Sequence, residues 1–147
     1  MRALERIASM RRLNLATVKE TMAICRMEPH ECVPVWVTES PFYAITKTDD
    51  ELSLVCPQHK VPRKVEADRN WRCLKIQGPM ALSQTGVLAS LTGPLADARV
   101  SVFVISTFDT DYLLIKKKNL LRAIEILRRS GHFVSQKLHK KKTRIKS

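Results

Sequence analysis

The sequence predicts an α+β fold of two tandem βαββ-type units, with antiparallel sheets packed by helices and a reduced helix in the first unit. Three observations lead there. Residues 100–116 read as a hairpin, with β-branched apolar runs on both sides of a polar turn at 107–111. Residues 45–55 align on 105–115 without gaps at an offset of 60, Asp49 falling on Asp109 and Glu51 on Asp111. Each hairpin is preceded by an alternating strand, at 21–27 or 71–77. Neither small sheet can bury both faces alone, so the two are expected to join edge to edge or to pack.

The elements follow in order. Residues 1–13 fit a short amphipathic helix with Leu4, Ile7 and Ala8 on one side, loosely attached ahead of the domain, and Met10 offers an alternative start. Residues 17–27 alternate as a strand. A polar stretch with Pro29 and Pro34 connects to Val35-Trp36-Val37, expected to be one helical turn that places Trp36 in a core. Residues 42–46 and 51–56 form the first hairpin around a turn at 47–50, and a polar loop follows to Asp68. Residues 71–77 are a strand that stops at Gly78-Pro79.

A helix comes next. Ser83 or Thr85 is the expected cap, and Val87, Leu88, Leu91 and Leu95 form its apolar face. Gly93-Pro94 predicts a kink or a second short turn near its end. The second hairpin is expected to be buried on both strands. A last helix starts at Asn119 as N-cap and buries Leu120, Leu121, Ile124 and Leu127. Glu125 is placed to pair with Arg129, and Gly131 suits the left-handed stop.

Composition narrows the function. Hydrophobic content of 44% is that of a globular chain, and no apolar run approaches the length of a membrane-spanning helix. Aromatic content of 5% argues against a surface built on base stacking. The net charge of +12 is unevenly spread: residues 1–12 carry +3, residues 128–147 carry +8, and 13–127 balance 14 basic against 13 acidic residues. The ends, rather than the body, are the basic segments, and the tail is the part suited to nucleic acid or another anionic partner.

Cys25, Cys56 and Cys73 lie in apolar runs and read as buried small hydrophobes, and with no secretory signal legible a reducing cytoplasm is expected. His30, Cys32, Cys56 and His59 match no metal-ligand spacing, so no metal or cofactor is assigned. No serine or cysteine has a histidine beside it and no Gly-rich phosphate loop is present, so a non-enzyme is expected. Two readings of the acidic turn stay open. Asp111 can hold a ligand cation or face solvent, and Asp109 can do the same or bond its own turn amides. Gly86 either lets backbone approach a ligand or packs the helix, and Trp36 and Trp71 read as core.

The second half resembles an ACT domain, a small ligand-sensing βαββαβ module of the ferredoxin-like class. Residues 17–134 as a whole resemble the tandem-ACT family that includes small bacterial proteins and CASTOR-type arginine sensors. The carrying residues are Phe42-Tyr43-Ala44-Ile45-Thr46, Asp50 through Cys56, Trp71 through Lys75, and Gly78-Pro79. Thr85-Gly86-Val87-Leu88, Pro94-Leu95-Ala96 and the turn Ser106-Thr107-Phe108-x-x-Asp111 complete the set.

The resemblance implies a basic extension at 1–13, a first ACT-like unit at 14–68, a second at 69–134 and a basic tail at 135–147. It implies an amino-acid ligand between ACT units of a homodimer, touching Ala81, Gln84 and Gly86 before the helix and Thr107, Phe108 and Asp111 in the hairpin turn. Backbone amides at a helix start suit a carboxylate, and Asp111 suits an ammonium or guanidinium. Arginine-binding relatives have an acid where this chain has Gln84. Losing one of two acids at a partly buried cation site costs about 2–4 kcal/mol, which disfavours arginine; a neutral amino acid or no ligand fits as well.

Overall fold

A computed structural model describes residues 12–78, 80–81 and 83–136. The helix expected over 1–13 and most of the basic tail lie outside these residues, as do Pro79 and Leu82. The strands are β1 (Asn14–Met27), β2 (Ala44–Lys47), β3 (Leu52–Pro57), β4 (Ala67–Ile76), β5 (Val102–Ser106), β6 (Asp111–Lys116) and β7 (Phe133–Ser135). The helices are α1 (Val35–Thr38), α2 (Val87–Asp97) and α3 (Leu120–Arg129), and 3-10 turns at Gln58–Lys60 and Lys117–Asn119 follow β3 and β6. Among the described residues no helix is long and apolar enough to cross a membrane.

All strands join one sheet in the order β2-β3-β1-β4-β6-β5, and β7 adds to β1 in parallel. The pairing is palindromic about its centre. Met22 pairs with Pro57, Trp71 pairs with Lys116, and Met22 and Trp71 pair with each other. The halves are therefore related by an approximate twofold axis through the β1–β4 seam. The fold is α+β and ferredoxin-like, as the sequence led us to expect.

The register corrects the gapless offset of 60. Lys47 pairs with Leu52 and Ser106 with Asp111, so the hairpins superpose at an offset of 59. Both turns are built the same way. The N–H of Thr48 donates to the Glu51 carbonyl at 2.9 Å, and that of Thr107 to the Thr110 carbonyl at 2.8 Å. The Thr48 and Thr107 hydroxyls accept the amides of Glu51 and Thr110. Asp109 thus corresponds to Asp50, and Asp111 to Leu52. A one-residue slip would move every side chain to the opposite face. Burial agrees with the offset of 59, which matches Leu54 with Leu113 on the helix side and Val55 with Leu114 on the other.

One face of the sheet carries the helices. Leu74, Ile76, Leu113 and Ile115 pack against Leu91 and Leu95 of α2 and Leu120, Ala123, Ile124 and Leu127 of α3. The first half has a smaller core, where Ala23, Cys25, Leu54 and Cys56 pack on Val37 of α1. Trp36 is only half-buried; the turn inserts Val37 instead. The opposite face holds Met22, Val55, Trp71, Cys73 and Leu114, and among the described residues no helix lies over it. It closes by curling, since the rings of Phe42 and Tyr112 lie 5.0 Å apart although four strand pairings separate β2 from β6. The hairpin at 100–116 is buried only on β6. β5 is the sheet edge and stays half-exposed.

Other details depart from expectation. α2 has no side-chain cap from Ser83 or Thr85; Gly86 occupies the cap position at φ 75°, a left-handed backbone that glycine adopts freely. α2 also continues through Pro94 to Asp97. A proline there removes the N–H that would bond the Ser90 carbonyl. His132 takes its place: Nε2 lies 3.1 Å from that carbonyl, while Nδ1 accepts the Leu13 N–H at 3.1 Å. His132 is buried and, with its proton on Nε2, ties α2 to the start of β1. Asn119 precedes α3 without a side-chain bond, and Leu121 is 73% exposed, with Ala123 taking its expected place in the core. The Glu125–Arg129 pair and the left-handed stop at Gly131 are present. β7 is three residues long and carries no periodicity to find.

Replacing His132 with Phe keeps the ring volume but strands a buried carbonyl and a buried amide. We expect a loss of about 2–4 kcal/mol in chemical denaturation, from two unsatisfied groups at about 1–3 kcal/mol each. A change below about 0.5 kcal/mol, within the range of an ordinary surface substitution, would show that His132 does not bridge them.

Candidate functional site

The connection from β4 to α2 lies against the second hairpin turn, and backbone bonds fix the two together. The Met80 N–H donates to the Asp109 carbonyl at 2.8 Å, and the Gln84 N–H to the Ala81 carbonyl at 3.0 Å. The Thr110 hydroxyl, buried, donates to the Ile76 carbonyl at 2.7 Å. Gly78 suits this close approach, because a Cβ there would sit 3.1 Å from the Asp109 carbonyl oxygen.

These contacts enclose a cavity of about 240 Å³. Of the residues singled out from the sequence, Ala81, Gln84, Thr107, Phe108 and Asp111 line it together. Gly86 does not, and a Cβ at Gly86 would meet nothing within 4 Å, so its glycine serves the turn into α2. Gln84 and Asp111 are half-buried, Ala81 and Thr107 are exposed, and Phe108 stands on the rim at 80% exposure. Asp109 and Thr110 also line the cavity. The turn amide of Thr110 goes to the Thr107 hydroxyl at 3.2 Å, so Thr107 rather than the Asp109 carboxylate organises the turn. Thr110 was not legible as a site residue. Its one trace in the sequence is the Thr-x-x-Thr spacing, which suits a hydroxyl-closed turn.

Among the described residues the lining carries two carboxylates, Asp109 and Asp111, and no lysine or arginine. Val87, the first residue of α2, also faces it, and no side chain caps the amides of that first turn. Such amides favour an anion. The cavity thus carries acidic side chains on its hairpin wall and lies beside the start of α2 on the other.

At the matching turn of the first half a side chain makes the corresponding contact. Asp50, the counterpart of Asp109, gives its carbonyl to Arg26 Nη2 at 3.2 Å, while Arg26 Nη1 pairs with Glu28 at 3.0 Å. In the second half the Met80 backbone amide makes that contact and leaves the space open.

His30 and Cys32 are exposed after β1, whereas Cys56 is buried in β3. Among the described residues no group of three or more His, Cys, Asp or Glu side chains is placed to hold a metal. Cys25 and Cys56 are buried as expected, and their thiols touch: the hydrogen bond between them lowers the Cys25 thiol from its usual range and raises that of Cys56. Burial pushes the Cys73 thiol up to about 12.

Known proteins share this sequence and architecture. The ACT-domain family profile matches residues 66–129, and a second profile, described as an N-terminal domain, matches residues 20–64. The rat protein named cytosolic arginine sensor for mTORC1 subunit 1 is 31% identical over 108 residues, covering 68% of this chain and 33% of the relative. Its human counterpart is 31% identical over 96 residues, covering 60% of this chain and 29% of the relative. The chain thus spans about a third of the length of the curated relatives it matches.

A crystal structure from Agrobacterium tumefaciens superposes with a TM-score of 0.84 at 36% identity, covering 88% of this chain and 97% of that one. The regulatory subunit of aspartate kinase from Thermus thermophilus shares the fold alone, with a TM-score of 0.57 at 9% identity over 79% of this chain and 96% of that one. The chain belongs to the ACT-domain family, with the CASTOR-type arginine sensors among its relatives.

Proposed function

We propose that the chain is a non-enzymatic, cytoplasmic regulatory protein that binds a small amino acid in the cleft between the β4–α2 connection and the second hairpin turn. The supporting observation is the convergence of Ala81, Gln84, Thr107, Phe108 and Asp111 on one cavity of about 240 Å³. By share of liquid volume that is the space of roughly eight waters, enough for an amino acid of modest size. The relatives named as arginine sensors support the ligand class at the level of the family.

In this reading the α-ammonium meets the Asp111 carboxylate, and the α-carboxylate meets the first amides of α2. Gln84 contacts the ligand side chain as an amide, so the cleft favours neutral over cationic side chains. Phe108, 80% exposed on the rim, is the surface that a second copy covers to exclude water from the site. The bound ligand then shifts the population of one dimer arrangement, which is the signal a regulated partner reads.

Thermal melts with each of the twenty amino acids test the reading. A ligand at about 100 times its Kd adds about 2.7 kcal/mol of stability. Asp111→Asn is expected to weaken that ligand by about tenfold or more, the worth of a charged hydrogen bond of about 1.5–3 kcal/mol. No shift with any amino acid at millimolar concentration would overturn the proposal. Gln84→Glu adds a third acid to the cleft and should raise arginine affinity by about thirtyfold or more, equivalent to about 2–4 kcal/mol. Unchanged arginine binding in that variant, measured by calorimetry, would remove Gln84 from the ligand contacts.

A further inference from the structure

We infer a second site, distinct from the amino-acid cleft, that binds a small anion carrying two or more phosphates at the waist of the sheet. The 3-10 turns after β3 and β6 both come to the twofold axis, because β3 ends beside Met22 and β6 ends beside Trp71. Two cavities adjoin there. One, of about 440 Å³, is lined by Lys116, Lys117, Lys118 and Asn70. The other, of about 550 Å³, has Lys19, Arg63 and Arg69 in its walls. They are separated by a bonded pair, Gln58 and Asn70: the Asn70 N–H donates to Gln58 Oε1 at 2.6 Å and Gln58 Nε2 to Asn70 Oδ1 at 3.2 Å.

The charge there exceeds what the composition predicts. Six basic side chains line the two cavities, and the acids beside them are Glu20 and Asp68. Residues 13–127 hold 14 basic and 13 acidic residues; subtracting six and two leaves eight basic against 11 acidic elsewhere. The near-neutral body is therefore segregated, with an excess of +4 at the waist and −3 over the remainder.

Parts of this surface are held in place. Lys116 bonds Asp68 and the Arg69 carbonyl, and its ammonium lies 4.9 Å from the Trp71 ring centre. Asn70 keeps a left-handed backbone at φ 65°, unusual for a residue with a side chain, under its two bonds to Gln58. Arg69 Nη2 is tied to the Pro62 carbonyl at 3.2 Å. A single phosphate meets one cavity; a chain of phosphates bridges the Gln58–Asn70 divide and meets both. Converging cations in a recessed surface raise the local concentration of such an anion.

Calorimetry of the full chain with inorganic tripolyphosphate at about 150 mM salt, where exposed charges are screened beyond about 8 Å, tests this. Binding is expected, with K117Q/K118Q and K19Q/R63Q each weakening it by about tenfold or more and the tail variant K141Q/K142Q staying within about twofold. ATP should lose affinity to the same two waist variants, and AMP should bind at least about tenfold more weakly than ATP. Asp111→Asn, in the amino-acid cleft, should leave tripolyphosphate binding unchanged. Absence of binding, equal loss in the tail variant, loss from only one cavity, or equal affinity for AMP and ATP each overturns the inference.

Discussion

The antiparallel seam between β1 and β4 is the constraint on which the other features depend. Each half, taken alone, is a three-stranded sheet with a free inner edge, a template for unwanted pairing. Joining the inner edges satisfies both and leaves only β2 and β5 as edges of the main ladder. The seam is irregular, with register shifts between Thr17 and Thr21 and between Met22 and Ile24. Such bulges sharpen local twist, and the curl that brings Phe42 onto Tyr112 is the form the sheet takes around them. That curl helps bury Met22, Trp71, Cys73 and Leu114 on the face opposite α2 and α3.

The halves are alike in plan and unlike in investment. The second half has two long helices over its sheet, and the first has one turn, Val35–Thr38, and a loop. The clefts differ in the same way. In the first half the Arg26 guanidinium bonds the Asp50 carbonyl and Glu28 at the surface, whereas the second half has a cavity lined by Asp111 and Gln84. The Asp50 carbonyl thus meets a side chain where the Asp109 carbonyl meets the Met80 backbone amide.

The hairpins, the helices and the fold class were legible because each rests on a repeating pattern: period two for the strands, the apolar ladder for α2 and α3. The register between the copies was not. The sequence aligned acid on acid, yet the turns are closed by the hydroxyls of Thr48 and Thr107, and matching those shifts the offset by one residue. Pro94 reads as a break in any local scheme; it is tolerated because His132, 42 residues beyond Ser90, donates to the orphaned Ser90 carbonyl. The cap at Gly86 and the strand Phe133–Ser135 likewise depend on partners remote in sequence. The candidate cleft was legible through family motifs at five positions, while Thr110, which bolts the turn to β4, showed only as a spacing.

The two extremities of the described chain lie side by side. β7 runs parallel to β1, the Phe133 amide bonds the Leu13 carbonyl at 2.9 Å, and His132 holds the Leu13 amide. These contacts close a loop of more than a hundred residues, so the ordering cost of closing it falls late in folding. During synthesis the first strand waits, with Leu13 and Leu15 unpaired on that edge, until residue 135 has left the ribosome. The nascent sheet can assemble its other seams, but this one is a clasp fastened only after the rest of the described fold has been made.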